Sequence, residues 1–187
     1  FIAHTRFATQ GAPEWNDNNH PIAVQDIVGV HNGCLYNDNQ IFQDLDRKLL
    51  TEGVKGTTRI AEVDSEAAFA LLANDDRIYA LETVRGSAAI AWMDRRDAHA
   101  GTMHLARINS SPLICAETVG GSILFASTVE AVQAGAKAGY LTIKEILQIP
   151  EGTYMKVVDG RYMEVEDFKP DYSYGYGYEY RYVPTPK

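Results

Sequence analysis

Residues 86–126 read GSAAIAWMDRRDAHAGTMHLARINSSPLICAETVGGSILFA. Gly86–Asp94 and Thr102–Ile108 read as two strands, and Leu113–Ala116 with Ser122–Ala126 as a third and a fourth. On the C-terminal side, Ser127-Thr128-Val129-Glu130 has the form of a capping box and predicts a helix to about Ala138. Thr142-Ile143-Lys144-Glu145 predicts a further short helix. A closing pair follows, Thr153–Val158 and Arg161–Val165, turned at Asp159-Gly160. On the N-terminal side the text becomes helical. Ile78–Val84 is one helix, and Glu66–Ala73, capped by Asp64-Ser65, is another. A third is capped by Asn37 or Asp38 and carries Ile41, Leu45, Leu49 and Leu50 as its apolar face. Further back, the β-rich run Ile22–His31 ends at Asn32-Gly33, a strong turn dipeptide. Before it lie an Asn- and Asp-rich loop, residues 14–20, and an apolar start, Phe1–Thr5. Strands in hairpins with helices in pairs between them predict an α+β fold with largely antiparallel sheets.

The chain has 187 residues, 45% of them apolar and 22% charged, enough to bury a sizeable core. Acidic residues outnumber basic ones 25 to 17, for a formal charge of −8. That balance argues against a nucleic-acid partner, which calls for a basic face. No apolar run reaches the ~20 residues that a membrane-spanning helix needs. Cys34 and Cys115 form neither a disulfide framework nor a zinc-binding spacing, so neither metal nor cofactor is expected, and the compartment expected is the cytoplasm. Between Tyr172 and Tyr182 every second residue is tyrosine, which sets residues 169–187 apart as a tail from a domain spanning 1–168.

Three clusters carry more polar chemistry than packing requires. His4-Thr5-Arg6-Phe7-Ala8-Thr9 ends an apolar stretch in an arginine, which needs either a structural ion pair or a ligand carboxylate held by two parallel hydrogen bonds. Asn32-Gly33 offers a side-chain amide beside an unobstructed backbone N–H, the donor pair an oxyanion hole requires, although the same dipeptide also makes plain turns. His31 before it reads as a satisfied core residue. Asp64 suits a helix cap, and it equally suits a ligand ammonium. His20, next to Pro21, is a fourth candidate.

The order of these clusters resembles the class II glutamine amidotransferases, the N-terminal-nucleophile domains of glucosamine-6-phosphate synthase and amidophosphoribosyltransferase. The resemblance rests on His4–Gly11, Asn19-His20-Pro21, Val30-His31-Asn32-Gly33 and Asp64-Ser65-Glu66. Val84–Ala91, Leu105-Ala106-Arg107 through Ser111-Pro112-Leu113, and Phe125-Ala126-Ser127 extend it to about residue 165. It implies a four-layer αββα sandwich with two antiparallel sheets and hydrolysis of L-glutamine to glutamate and ammonia through a cysteine thioester. By the same resemblance Arg6 binds the glutamine α-carboxylate and Asp64 the α-ammonium. Thr9 and His20 shape the pocket, and Asn32 with the Gly33 N–H forms the oxyanion hole.

The sequence departs from the family pattern at its head. Residue 1 is Phe, so the nucleophilic cysteine and the first strands are expected upstream of this chain. Cys34 and Cys115 carry no free α-amine and read as packing residues. Gln10 replaces a common histidine, and Phe7 stands where the family often has Trp. Either the ammonia acceptor is a separate partner or the domain is a stand-alone glutaminase; the chain's own N-terminal segment is the other partner expected, and a homo-oligomer is compatible with the text. The rival reading is a non-catalytic relative that serves as a binding or assembly module through its tyrosine-rich tail.

Overall fold

The computed structural model describes residues 1–5, 11–52 and 57–173. Among these residues nine strands make two sheets and four α-helices accompany them: β1 (Ile22–Val24), β2 (Ile27–Leu35), α1 (Asp38–Glu52), α2 (Ser65–Asn74), α3 (Arg77–Thr83), β3 (Gly86–Asp94), β4 (Thr102–Arg107), β5 (Ile114–Thr118), β6 (Ile123–Ala126), α4 (Val129–Ala138), β7 (Ile143–Gln148), β8 (Thr153–Val158) and β9 (Arg161–Asp167). The larger sheet runs β1-β2-β3-β4-β8-β9 and the smaller β6-β5-β7. All pairings within them are antiparallel.

Alternation along the strands builds the layers. On β3, Ala88, Ile90 and Trp92 face α1–α3, forming one core with Phe69, Leu71 and Leu81. Ala89 and Ala91 face the other way, into a core between the sheets with Val30, Leu105, Leu113, Cys115 and Met155. On β5 the same switch sends Cys115 between the sheets and Ile114 and Ala116 outward, against Val132 of α4. The order is therefore helices, sheet, sheet, helix, the αββα sandwich that the resemblance implies. No helix among the described residues is long and apolar enough to cross a membrane.

Several expectations are corrected. Residues 1–5 form no strand. Asn32-Gly33 is not a turn: β2 runs through it, Asn32 opposite Ala89 and Gly33 opposite Ala88. The hairpin turn lies earlier, at Gln25-Asp26, between Val24 and Ile27. Residues 143–148 are a strand, not a helix, because β5 pairs with them along its whole length. On α1 the buried stripe is Ile41, Phe42 and Leu45, while Leu50 is 85% exposed. Nine residues past Ile41, at about 100° per residue, it points to the opposite side of the helix. Asn37 takes the N-cap position of α1, its carbonyl accepting from Ile41 N–H, while its side chain is engaged elsewhere. Its amide donates to the Thr83 carbonyl and its oxygen accepts from Arg85 N–H, joining the two strands' ends to α3.

Helix α4 starts one residue later than a Ser127 cap would place it. Thr128 is the N-cap, its hydroxyl accepting from Ala131 N–H at 3.1 Å. Thr128→Ala is expected to cost about 1 kcal/mol, read as a lower midpoint in urea unfolding with unchanged slope.

On the helix-facing side of the large sheet, buried His104 and Tyr154 join half-buried Asp97 and Arg77 in one polar network. Asp97 Oδ2 lies 2.6 Å from His104 Nε2, Tyr154 Oη lies 2.8 Å from His104 Nδ1, and Arg77 Nη1 donates to Tyr154 Oη at 2.7 Å. The carboxylate must accept, so Nε2 carries the proton and Nδ1 accepts from the tyrosine hydroxyl. Burial lowers the His104 pKa, in keeping with a neutral ring. This network ties the β3–β4 connection to β8 and the start of α3.

Candidate functional site

A cavity of about 330 Å³ opens between the two sheets. That is near the lower end of the range for small-ligand sites, roughly 300–1,000 Å³, and suits a molecule of amino-acid size. Val30, Ala89, Leu113 and Phe125 form apolar walls, Asn32 projects from β2, and Ser127 lies at the start of α4. Ala3, His4 and Thr5 close another side. His20 joins this wall through His4, the two ring centroids being 4.3 Å apart.

Alternation of the β2 backbone explains what Asn32 and Gly33 present. Tyr36 N–H donates to the Arg85 carbonyl, so the even-numbered amides of this strand end point at β3. Odd-numbered ones point away. Leu35 N–H obeys this rule: it donates to Asp64 Oδ2 at 2.6 Å. Gly33 N–H falls on the same outer edge. There β1 has already ended its pairing, at Gly29, and no strand among the described residues takes its place. The Asn32 side chain points into the cavity from the adjacent position.

Gly33 has φ 145°, and a β-carbon there would run into the Ser87 carbonyl oxygen. Only glycine fits, for the conformation and for the space. Asp64 is buried beside this strand end at the N-terminal boundary of α2. The expected side-chain cap is absent: Asp64 makes no capping bond, and its carboxylate reaches across to Leu35 instead. Asn32, Gly33 and Asp64 thus come together at one end of β2, with His20 at the neighbouring wall. Arg6, Thr9, Phe7 and Gln10 lie outside the described residues, as does the tyrosine-rich tail from residue 174.

Both cysteines are poor nucleophiles here. Burial pushes the Cys115 thiol up to about 12. Cys34 is raised by partial burial, and the carboxylates of Asp64 and Asp38 further disfavour its thiolate. In the native protein at pH 8, Cys115 is expected to stay unmodified by iodoacetamide over an hour, while denaturation exposes both thiols, as counted by intact mass.

Some contacts around the site had only weak sequence signals. Asn18, buried in the Asn-rich loop, donates to Glu62 Oε2 at 3.1 Å and accepts from Glu62 N–H at 2.8 Å. Glu66 accepts from Ile60 N–H and Ala61 N–H. Together they pin the loop before α2 to the loop before β1. A buried asparagine in an Asn-rich loop looks like any turn former until its partner, 44 residues away, is known. No group of three or more His, Cys, Asp or Glu side chains suited to holding a metal gathers among the described residues.

A family model for the glutamine amidotransferase domain matches residues 4–134, the span that contains the strand end, Asp64 and all of the cavity lining but Ala3. The chain belongs to the glutamine amidotransferase domain family. Among curated relatives of this amidotransferase domain, the glutamine–fructose-6-phosphate aminotransferase (isomerizing) of Salmonella typhi is 27% identical over 174 residues, covering 88% of this chain and 27% of that protein. Its counterpart in Escherichia coli K12 is 32% identical over 122 residues, 60% of this chain and 18% of that one. The chain therefore spans about a quarter or less of the length of these relatives. Among solved structures, the glutamine phosphoribosylpyrophosphate amidotransferase of B. subtilis complexed with ADP and GMP superposes with a TM-score of 0.65 at 18% identity, covering 89% of this chain and 34% of that one. A glutamine aminotransferase class-II domain protein from Silicibacter pomeroyi gives 0.55 at 15% identity, covering 82% and 72%. At these identities the structural likeness speaks for the fold alone.

Proposed function

We propose that this amidotransferase domain hydrolyses L-glutamine to glutamate and ammonia, with its side-chain amide held over the end of β2. The observation that carries the reading is the pairing of the Asn32 side chain, at the cavity, with a Gly33 N–H on an edge no described strand occupies. Two donors at adjacent positions suit the oxygen of a tetrahedral intermediate, where negative charge develops. Asp64, buried two residues' reach away through Leu35, supplies negative charge for the α-ammonium. The resemblance adds Arg6 for the α-carboxylate and Thr9 and His20 for the pocket walls.

The nucleophile in this proposal is a cysteine outside the chain, since neither Cys34 nor Cys115 favours its thiolate. Its sulfur attacks the amide carbon, and the carbonyl oxygen takes the negative charge between Asn32 and Gly33. Collapse of that intermediate breaks the C–N bond, and the nitrogen leaves as ammonia with a proton delivered by the nucleophile's own α-amine. Water then cleaves the thioester to glutamate. Much of the rate comes from holding the amide carbon against the sulfur in one pose. The ammonia passes to an acceptor in a partner or in another part of the polypeptide.

The test is a glutaminase assay on the native polypeptide with its own N-terminus. Glutamate and ammonia are expected in a 1:1 ratio, with asparagine turned over far less. Asp64→Asn keeps an acceptor for Leu35 N–H but removes the charge, and is expected to raise KM for glutamine about tenfold. Folded protein that releases no ammonia above background overturns the reading in favour of an assembly role.

A further inference from the structure

We propose that His31 is a positioning residue for the donor pair, locking the backbone of β2 on the side away from the cavity; this rests on the glutamine reading. His31 precedes Asn32, so alternation turns its ring to the helix layer, where it is buried. Its Nδ1 lies 2.9 Å from the hydroxyl of Ser65, the first residue of α2. Its Nε2 makes a long contact, 3.5 Å, with the Ser87 carbonyl oxygen on β3. A carbonyl can only accept, so Nε2 carries the proton and Nδ1 receives the Ser65 O–H. Burial lowers the pKa of the ring, which agrees with one proton rather than two.

The ring does more than fill space. A β-carbon at Gly33 would lie 2.9 Å from His31 Nε2 as well as against the Ser87 carbonyl, so these two atoms form the wall behind Gly33. Ser87 is itself held: its hydroxyl lies 2.5 Å from that of Ser111, and the Ser110 hydroxyl donates to it at 3.2 Å. The start of α2 therefore grips β2 twice, on either side of Gly33. Asp64 takes the backbone N–H of Leu35, and Ser65 takes the ring of His31. Glycine reaches φ 145° without strain but has many other conformations open to it, and these two grips with the Ser87 carbonyl select this one. Oxyanion donors tolerate displacements of only about 0.5 Å. A histidine behind the donor pair meets that tolerance without touching the substrate.

Three variants of the native polypeptide separate positioning from packing. His31→Leu fills the volume without a donor, His31→Gln restores an N–H near the place of Nε2, and Ser65→Ala removes the grip of α2 with almost no change of volume. Two readouts are taken: hydrogen exchange at the Asn32, Cys34 and Leu35 amides, and kcat and KM for glutamine. Leu and Ala are expected to speed exchange at these three amides and to lower kcat roughly tenfold to a hundredfold, with KM within about twofold. Gln is expected to recover most of both losses. Unchanged exchange in both Leu and Ala variants overturns the proposal, as does a rise in KM with kcat intact, or a Gln variant no better than Leu. If the unmodified protein releases no ammonia from glutamine, the glutamine reading falls, and the exchange measurements alone decide whether His31 fixes the strand.

Discussion

Asn32→Ala is expected to lower kcat for glutamine by roughly a hundredfold to a thousandfold, with KM within about threefold and folding stability nearly unchanged. The side chain is exposed to the cavity rather than packed in a core, so truncation removes little buried area. Its partner strand contact is through the backbone opposite Ala89, which alanine keeps. In the proposed role, what is lost is one of two donors to an oxygen that becomes charged only in the transition state. An interaction of that kind appears in kcat and not in ground-state binding. The measurement is steady-state ammonia release together with a denaturant midpoint for each protein. Undiminished turnover removes Asn32 from the oxyanion role, and a rise in KM alone reassigns it to substrate binding.

Gly33→Ala is expected to lose activity more completely and stability as well, by about 2–4 kcal/mol. Two costs add. The φ of 145° lies where a β-carbon is strained, and the carbon itself would enter the Ser87 carbonyl and approach the His31 ring. The neighbour is backbone of β3, held in register with β2 from Asp94 to Gly86, and cannot rotate away as a side chain would. Relief would require β2 to part from β3 near Cys34 and Ser87, carrying the donor N–H with it. A lower unfolding midpoint and loss of turnover beyond that of Asn32→Ala are the expected pair of results. A variant as stable as the parent would show that this strand end adapts more readily than its contacts imply.

The two substitutions behave differently because adjacent residues of one strand face different surroundings, and this was only half visible in the sequence. The Asn-Gly pair was legible as a donor pair by residue type. Its local preference for a turn pointed the wrong way about structure, because the strand is fixed by nine successive partners on β3, from Asp94 to Gly86, and not by two residues. The small sheet gives a second case. Thr142-Ile143-Lys144-Glu145 reads as a helix start, and in the fold Ile143 and Ile146, three apart, both pack on the α4 side of β7. A register shift at Glu117/Thr118 leaves Lys144 without a partner, so the two isoleucines share a face despite their spacing. No count along the chain reveals a bulge whose cause is the neighbouring strand.

Strand and helix character over most of the chain, the cap at Thr128 apart, followed from period and composition, since these act over a few residues. The proposal of Asn32, Gly33, His20 and Asp64 as one set of candidates came from their order in the text. What tertiary structure alone decided is direction: that Gly33 N–H lies on an edge no described strand occupies, that Asp64 turns its carboxylate to Leu35 and not to its own helix, and that His31 meets Ser65 behind the strand. Each of these depends on groups 29 to 56 residues apart meeting across a sheet and a helix end. Such meetings are set by strand register and layer packing, which the sum of many weak long-range contacts determines and no local stretch of sequence encodes.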